Sequence, residues 1–283
     1  MKPVLKWVGG KTRILKKIKE LFPDRKIRNY HEPFFGGGSV LFSLEDQITG
    51  RIYINDFNKD LINVYKNIRK NPRELINKLK LLKRAYLKSK DKRAFYNKKR
   101  KHLNENKTFN SRRAALYIFI NKTNFNGIMI KDKKDNIVSG WGQHEKPEIF
   151  TVSNIVKVSS FLNRRNITIT NLDYEKSLKK AKKGDFVFMD PPYVPDDVTK
   201  WKDRYLKDRW NAKDFERTFD VLEKITKRGC LVMFANSWSS MIRRRFTNDK
   251  RFKIFKIPIK RTISRNKNAR VIKYEVLILN YKA

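Results

Sequence analysis

The chain has 283 residues, and its 68 lysines and arginines against 28 aspartates and glutamates give a formal net charge of +40 at pH 7. A charge excess of this size attracts polyanions, so we expect nucleic acid as the partner ahead of an anionic membrane or an acidic assembly. Hydrophobic residues make up 40% of the chain, which excludes a disordered basic tail and predicts a globular protein.

Cysteine and histidine are scarce. Cys230 is the only cysteine, and the three histidines are His31, His102 and His144. One thiol excludes a disulfide framework and suits a reducing compartment, and the scattered histidines predict no metal site. No apolar run approaches the roughly 18 to 20 residues of a membrane span, and the N-terminus lacks an apolar signal core. We therefore expect a cytoplasmic protein, of cellular or phage origin, without a metal.

The first region, residues 1–56, alternates turn signals with short apolar runs. Lys2–Val8 and Arg51–Ile54 are predicted as strands. Thr12–Leu21 has apolar residues at helical spacing and is predicted as a helix. Strand, glycine turn, helix and strand in succession are typical of an α/β sheet.

The second region, residues 57–162, is predicted to be mostly helical and very basic. Its expected segments are helices with apolar faces at Leu61–Ile68, Leu75–Leu82 and Arg112–Ile120, a cation-rich helix within Lys88–Lys107, and loops or a hairpin within Asn121–Gly142. The cation-rich run fits a solvated helical face and a phosphate-facing one about equally well.

The third region, residues 163–283, returns to strand character. Its predicted strands are Ile167–Ile169, Phe186–Met189, Leu231–Phe234 and Val276–Leu279, and Asp214–Thr226 is predicted as a helix between them. Continuous apolar strands indicate a sheet that is buried on both faces. The expected architecture is an α/β core made of residues 1–56 and 163–283, interrupted by a helical domain at 57–162.

Two short segments of the first region predict a nucleotide-like ligand. Three glycines, Gly36–Gly38, stand where a strand turns into a helix, and glycines there let the backbone approach a ligand closely. Asp56 ends the next strand about 20 residues later, where a carboxylate accepts hydrogen bonds from ribose hydroxyls. A tight turn and a helix cap are the structural alternatives. Lys6–Lys11 lacks the phosphate-loop pattern, so nucleotide triphosphate hydrolysis is disfavoured.

A second chemical signal follows the apolar strand Phe186–Met189. Asp190, Pro191, Pro192 and Tyr193 place a carboxylate, two residues without a backbone donor and an aromatic ring in succession. Because prolines fix φ, the carboxylate and the Pro191 carbonyl are expected to point as acceptors at one spot beside the ring. An exocyclic amino group on a flat base fits that arrangement, whereas a rigid turn is the structural alternative.

These motifs carry a resemblance to a known family. In their order, Lys6–Lys11, Phe34–Gly38, Asn55–Asn58 and Asp190–Tyr193 resemble the α-class arrangement of the Dam-type DNA adenine-N6 methyltransferases, which occur in bacterial restriction-modification systems and in phages. The resemblance covers almost the whole chain. It implies a Rossmann-like methyltransferase sheet, with residues 57–162 as an inserted target-recognition domain and S-adenosylmethionine as the cofactor.

The resemblance also implies roles for individual residues. The cofactor set that it implies is Trp7, Lys11, Phe35, Gly36, Gly37, Gly38, Asp56, Asp173, Tyr174 and Asp190. The catalytic set is Asp190, Pro191, Pro192 and Tyr193, which would accept the two N6 hydrogens of a target adenine flipped out of the duplex and stack against the base.

Target reading departs from the family's pattern. The implied DNA-binding residues are Asn124, Asn126, Gly127, Lys131, Trp201, Tyr205 and Arg261. The family's basic residue three places after the glycine is Ile130 here, and the adjacent Lys131 is the expected substitute. GATC is the expected target.

Two further hypotheses stay open: an inactive scaffold that coats or packages DNA, and an RNA or cytosine-N4 methyltransferase. We expect a monomer or weak dimer that acts on double-stranded DNA.

Overall fold

A mixed β-sheet forms the centre of the fold. The computed structural model describes residues 1–164, 166–193, 210, 212–259 and 273–283. Within them the strands are β1 (Tyr30–Glu32), β2 (Ile52–Asn55), β3 (Ile167–Thr170), β4 (Phe186–Met189), β5 (Leu231–Ser237), β6 (Lys253–Ile259) and β7 (Lys273–Leu279). Their order in the sheet is β3-β2-β1-β4-β5-β7-β6.

The register of the sheet makes it Rossmann-like with one reversed strand. β1, β4 and β5 pair in parallel, whereas β7 runs antiparallel between β5 and β6. The strand order reverses between β1 and β4, and ligands of open α/β sheets bind outside the carboxyl ends of the strands at such a switch point. All four residues of β4 are buried, as expected of a central strand.

Ten α-helices lie in the described residues. They are α1 (Leu15–Glu20), α2 (Ser39–Leu44), α3 (Lys59–Lys70), α4 (Pro72–Lys88), α5 (Lys92–Glu105), α6 (Ser111–Thr123), α7 (Val152–Arg164), α8 (Tyr174–Ser177), α9 (Ala212–Lys227) and α10 (Ser240–Phe246). None of the helices in this described part is long and apolar enough to cross a membrane. In α6 every residue from Ala114 to Asn121 is buried, because α3, α4 and α5 pack around it.

The chain forms two compact units. The first comprises residues 1–15, 35–45 and 54–173, and the second comprises residues 16–34, 46–53 and 174–283. The sequence-predicted insert at 57–162 lies within the first unit, which also contains the N-terminal residues, the glycine turn and β3. The core of the second unit surrounds Val187, Met189, Phe215, Phe234 and Val276.

Side-chain caps explain where the helices of the first unit begin. The Asn58 carboxamide accepts hydrogen bonds from the N–H groups of Asp60 and Leu61, which caps α3. Asp91 caps α5 and Asn110 caps α6 in the same way. Pro72 stands at the first turn of α4, where its missing N–H leaves no bond unmade.

Most of the predicted elements are confirmed. β2, β3, β4, β5, β7 and α9 overlap the predicted runs, and α3, α4, α5 and α6 occupy the predicted helical segments. The predicted helix over Thr12–Leu21 forms as a 3₁₀ turn, Lys11–Ile14, followed by α1. The short β1, the exposed β6 and helix α7 are additions that the periodicity did not single out.

The predicted strand over Lys2–Val8 is wrong. Its backbone pairs with side chains instead of with a neighbouring strand: the Lys2 N–H donates to Asn154 Oδ1 at 3.0 Å, and the Lys6 N–H donates to Asn121 Oδ1 at 2.8 Å. Each asparagine also returns its amide to the carbonyl of the same residue. The segment is therefore hydrogen-bonded to α6 and α7 without belonging to the sheet.

Candidate active site

The glycine turn of the first unit is shaped by contact with Trp7. A Cβ at Gly36 would lie 2.7 Å from Trp7 Cδ1, and Gly36 has a φ of +51°. Gly38 has a φ of +75°, and a Cβ there would lie 2.5 Å from Phe35 Cζ. The positive φ values and the close approaches both require glycine. The Gly37 carbonyl accepts a hydrogen bond from the buried Tyr65 hydroxyl at 2.8 Å. This bond fixes the turn against helix α3.

Asp56 lies directly against this turn. Its Oδ2 accepts a hydrogen bond from the Gly36 N–H at 2.9 Å, and its Oδ1 accepts one from the Asn58 N–H at 2.8 Å. Burial of the carboxyl group raises the pKa of Asp56 to about 6, although the two backbone hydrogen bonds act in the opposite direction. A carboxylate has about four lone-pair positions, so two acceptor positions remain after the backbone bonds are counted.

Two asparagines that the sequence analysis did not single out join Asp56 to the segment before Asp173. The Asn55 carboxamide both donates to the Leu172 carbonyl at 3.0 Å and accepts from the Leu172 N–H at 2.8 Å. Asn171 Nδ2 donates to the Asp56 carbonyl at 2.7 Å. The backbone before Asp173 is thus held beside Asp56, as the assignment of both acids to one cofactor requires. The sequence marks both asparagines only by their position at a strand end, since Asn55 ends β2 and Asn171 follows β3.

Lys11 is buried close to the same N-terminal motif. Its side chain is only 2% exposed, and its Nζ donates to the Gly9 carbonyl at 2.7 Å. The ammonium group therefore stays inside the first unit with Trp7 and does not extend into solvent as a surface lysine does.

In the second unit, Asp190 directly follows the buried strand β4. Pro191 is buried, whereas Asp190, Pro192 and Tyr193 are partly exposed. At the other end of β4, the Asp185 carboxylate accepts hydrogen bonds from Asn29 Nδ2 at 2.8 Å and from His31 Nε2 at 3.0 Å.

These bonds affect both the charge of Asp185 and the position of β4. Burial alone would raise the pKa of Asp185, but the hydrogen bonds from His31 and Asn29 lower it below its usual value. Because His31 and Asn29 belong to β1 and the segment before it, they fix the amino end of β4 against β1. The Asp190 motif consequently stands at the carboxyl end of a firmly anchored strand.

Tyr174 is buried in an aromatic cluster of the second unit. Its ring lies 5.0 Å from that of Phe34 and 5.5 Å from that of Trp210, between ring centroids, and the Arg217 guanidinium lies over it at 4.6 Å. The cluster stands where β1 ends, since Phe34 follows that strand. The structure thus gives Tyr174 a packing role, and its assignment to the cofactor stays a prediction.

Three predicted DNA-reading residues of the first unit lie at the base of a hairpin, residues 124–141. Isolated antiparallel bridges close the hairpin between Asn124 and Trp141 and between Lys131 and Ile137. Asn126 and Gly127 adopt positive φ values of 56° and 71° at a tight turn after α6. Asn124 is fully buried, and its Nδ2 donates to the Ile128 carbonyl at 2.9 Å, so its side chain organises the turn from inside. Asn121, which the sequence analysis did not single out, donates to the carbonyls of both Lys6 and Gly127 and joins the N-terminal motif to this turn.

Lys131 lies on the first strand of the hairpin, opposite Ile137. Its ammonium is 3.1 Å from the Asp135 carboxylate and 3.8 Å from that of the buried Asp60, and its side chain is 12% exposed. Asp60 itself is paired with Arg113 at 2.6 Å. Lys131 is therefore held by carboxylates in the structure. The other predicted DNA contacts, Trp201, Tyr205 and Arg261, lie outside the described residues.

The glycine turn fits the cofactor that the sequence predicts. We call the turn Phe35–Gly38, together with the Trp7 side chain against it, the cradle. A Cβ at any of its three glycines would contact Trp7 or Phe35. Asp56 beside it has two acceptor positions left for hydroxyl donors. In the part of the chain that the structure describes, no group of three or more His, Cys, Asp or Glu residues could hold a metal ion. A Rossmann-like sheet with this cradle and this acid is typical of proteins that bind a nucleotide-like cofactor, a class that includes the S-adenosylmethionine-dependent methyltransferases.

Comparison with known proteins narrows this class. The family model for D12 class N6 adenine-specific DNA methyltransferases matches residues 7–263. A type II methyltransferase of Methanocaldococcus jannaschii is 35% identical over 99% of both chains, and one of Lactococcus lactis subsp. cremoris is 32% identical over 99% of this chain and 96% of its own. The DNA adenine methylase of Escherichia coli K12 is 25% identical over 98% of this chain and 94% of its own.

The chain belongs to the D12 class of N6 adenine-specific DNA methyltransferases. It is an enzyme that methylates adenine N6 in DNA and uses S-adenosylmethionine as the methyl donor.

Proposed function

We propose that the first unit holds S-adenosylmethionine between the glycine turn and the two acids at the ends of β2 and β3. The position of Asp56 carries this proposal. Its two oxygens are each fixed by one backbone N–H, so the remaining lone pairs have set directions and are ready to accept the two ribose hydroxyls. Asp173, held beside Asp56 through Asn55 and Asn171, accepts from the adenine end of the cofactor.

The glycine turn and the N-terminal motif bind the opposite end of the cofactor. Phe35, Gly36, Gly37 and Gly38 expose backbone to the methionine portion, because no side chain intervenes at the three glycines. Trp7 supplies an apolar face that already packs on Gly36. The Lys11 ammonium supplies a buried cation for the carboxylate of that portion.

The second unit handles the target adenine. Asp190 and the Pro191 carbonyl accept the two hydrogens of N6, which leaves the nitrogen lone pair oriented for attack. Pro192 keeps the backbone rigid, and Tyr193 stacks on the base in place of its lost neighbours. Extrusion of the base from the duplex costs a few kcal/mol of stacking and pairing, which these contacts offset. The cofactor supplies a methyl group that its positive sulfur has already activated.

Target reading belongs to the hairpin of the first unit. Asn124, Asn126 and Gly127 set its turn, and Lys131 exchanges its contacts with Asp135 and Asp60 for a guanine edge in the major groove. By family resemblance Trp201, Tyr205 and Arg261 add contacts to the DNA, with GATC as the target. We place the enzyme in the cytoplasm as a monomer or weak dimer.

The test is a product analysis. The purified protein is incubated with unmethylated genomic DNA and labelled S-adenosylmethionine, and the DNA is then digested to nucleosides and mapped. We expect N6-methyladenine within one short sequence. If methylation occurs at adenines without sequence preference, the assignment of the hairpin as the reading element is wrong. If a folded, DNA-binding protein transfers no methyl group, the inactive-scaffold hypothesis takes its place.

A further inference from the structure

Helix α5 has one face that contacts the hairpin and another that lines an open groove. One face holds the second strand of the hairpin: the Tyr96 hydroxyl donates to the Ser139 carbonyl at 2.7 Å, Arg100 donates to the same carbonyl at 2.7 Å, and Asn104 exchanges hydrogen bonds with the backbone of Ile137. These three residues recur every fourth position, so they share one side of the helix. The residues between them project elsewhere.

The other face of α5 carries lysines around an open groove. A groove of about 720 Å³ is lined by Lys98, Lys99, Lys101, Lys107 and His102 among others. A second groove of about 290 Å³ shares Lys99 and His102 with the first and adds cations from two neighbouring helices, Lys78 of α4 and Arg112 of α6. The floor of this second groove is apolar, with Leu82 and Leu116, on which the methylene stems of the lysines can rest.

Few carboxylates accompany these cations. Among the described residues that line the two grooves, Glu105 is the one acid, and its only pairing that the structure gives is with Lys101 at 3.8 Å between two highly exposed side chains. Burial, together with repulsion from the neighbouring Lys98 and Arg112, lowers the pKa of Lys99. Lys78 is the exception, since it pairs with Glu74 at 3.3 Å. The surface is therefore a cluster of like charges that a bound anion would relieve.

Some cations elsewhere in the described residues are neutralised by acids of the chain itself. Around α9 and α10, Glu223 pairs with Lys227, Arg245 and Arg251, and Asp249 pairs with Arg245 and Arg251. The protein thus matches basic residues with acids in that region. At the grooves along α5 several cations face a shared open space with one acid, an arrangement that an external anion would neutralise.

We propose that the cationic surface formed by Lys98, Lys99 and Lys101 of α5 and Arg112 of α6 is a second DNA contact, which binds phosphates outside the target sequence. The inference rests on the DNA methyltransferase activity, because DNA is the polyanion that the enzyme meets at every turnover. Phosphate contacts carry no sequence information and add affinity that depends on salt. Because Lys98, Lys99 and Lys101 lie on a different face of α5 from the residues that hold the hairpin, DNA bound to this surface leaves the hairpin contacts of α5 in place.

The experiment compares two duplexes and two variants. One duplex covers the target and a single helical turn on each side, and the other extends it by several turns. The test variant combines Lys98→Gln, Lys99→Gln and Lys101→Gln. The control variant combines Lys179→Gln, Lys180→Gln and Lys183→Gln, which remove the same charge from exposed lysines before β4. Circular dichroism and thermal unfolding establish that both variants are folded.

We expect the test variant to lose affinity for the long duplex by one to two orders of magnitude, roughly, at low salt, with a slope of log K against log salt that is smaller by up to about 0.9 per lost phosphate contact. Its affinity and methylation rate on the short duplex should match those of the unaltered enzyme. An unchanged slope on the long duplex would overturn the proposal, and so would an equal loss with the control variant. A loss of the same size on the short duplex would assign these lysines to the target interface. Failure of the methyltransferase assignment is separate, because it appears as absent methylation of the short duplex by the unaltered enzyme.

Discussion

Two aspartates occupy the same place in two different strands. Asp56 follows β2 and Asp190 follows β4. Asp56 is followed by residues with backbone donors, and the N–H groups of Asn58 and Gly36 both bind its carboxylate. Asp190 is followed by Pro191 and Pro192, which have no N–H to offer. The same side chain at the same topological position is therefore fixed by two backbone donors in one unit and followed by donor-free backbone in the other.

The comparison indicates that the backbone beside a strand-end acid determines which ligand groups the acid can bind. A donor-rich surrounding orients a carboxylate toward a ligand that brings hydroxyl groups. Two successive residues without an N–H, as after Asp190, leave carbonyl and carboxylate acceptors for a ligand that brings an amino group. The following experiments separate the two roles, beginning with the largest expected effect.

Replacement of Asp190 tests the donor-poor acid. We expect Asp190→Ala to lower the methylation rate by at least about 10²–10³-fold, the magnitude for loss of one oriented transition-state contact. Cofactor affinity should change little, because Asp56 and the glycine turn are untouched. Methyl transfer from labelled cofactor and a calorimetric titration of the cofactor measure the two quantities. Normal turnover of this variant would remove Asp190 as the acceptor of the amino hydrogens.

Gly36→Ala tests the cradle that surrounds Asp56. A new Cβ would lie 2.7 Å from the Trp7 indole at a positive φ, so we expect a loss of about 1–3 kcal/mol in the free energy of unfolding and weaker cofactor binding. Gly140→Ala is the matched control, because a Cβ there meets nothing within 4 Å. Urea unfolding measures both variants. Equal stability of the two would contradict the close packing of Trp7 on the turn.

Asp56→Asn tests the donor-rich acid. The amide keeps the size of the side chain but loses the charge and one acceptor, so we expect cofactor affinity to fall about tenfold to a hundredfold, as for a charged hydrogen bond. The methylation rate at saturating cofactor should fall far less than for Asp190→Ala. The KM for the cofactor and kcat, measured together, distinguish the two variants. A selective loss of kcat would mean that Asp56 acts on the target and not on the cofactor.

The raised pKa of Asp56 adds a pH signature to the same comparison. The folded protein binds a proton here up to about pH 6, whereas the unfolded chain releases it near pH 3.8. The unfolding free energy that this group contributes therefore decreases as pH rises from about 4 to 6. Under the proposal that the ionised form accepts the ribose hydroxyls, cofactor affinity should fall as pH drops below about 6. If the cofactor affinity of Asp56→Asn varied with pH in the same way as that of the unaltered enzyme, the effect would belong to another group.

Tyr65→Phe gives the smallest expected effect. It removes one hydrogen bond to the Gly37 carbonyl and leaves the ring in place, so the free energy of unfolding should fall by about 1 kcal/mol. Chemical denaturation measures this loss. A larger cost than that of Gly36→Ala would show that the hydroxyl, and not the absence of side chains, maintains the turn.

The parts of the fold that sequence predicts well are those in which local chemistry is sufficient. β4 is a continuous apolar run that ends at Asp190, and its bounds coincide with the prediction. The positions of Gly36 and Asp56 also follow from local pattern, because a glycine turn and a strand-end acid have short-range causes. Their contact at 2.9 Å is the tertiary consequence.

The parts that sequence predicts poorly depend on partners far along the chain. Lys2–Val8 has strand composition, yet its hydrogen bonds go to Asn154 and Asn121, whose positions follow only from the folded helices. Lys131 was expected to meet DNA, and its ion pairs with Asp135 and Asp60 require the hairpin and α3 to be assembled. Trp201, Tyr205 and Arg261 remain predictions.

The asparagine clamps on the N-terminal segment also determine an order of assembly. The bonds from Lys2 to Asn154 and from Lys6 to Asn121 span 152 and 115 residues, so they close long loops. Such contacts carry a large entropic cost until the intervening chain is compact. The segment Lys2–Val8 therefore reaches its final place only after α6 and α7, which carry Asn121 and Asn154, have formed. Trp7 follows the clamped Lys6, so its contact with the glycine turn forms at that stage too, and under the proposed role of the turn cofactor binding would report complete folding.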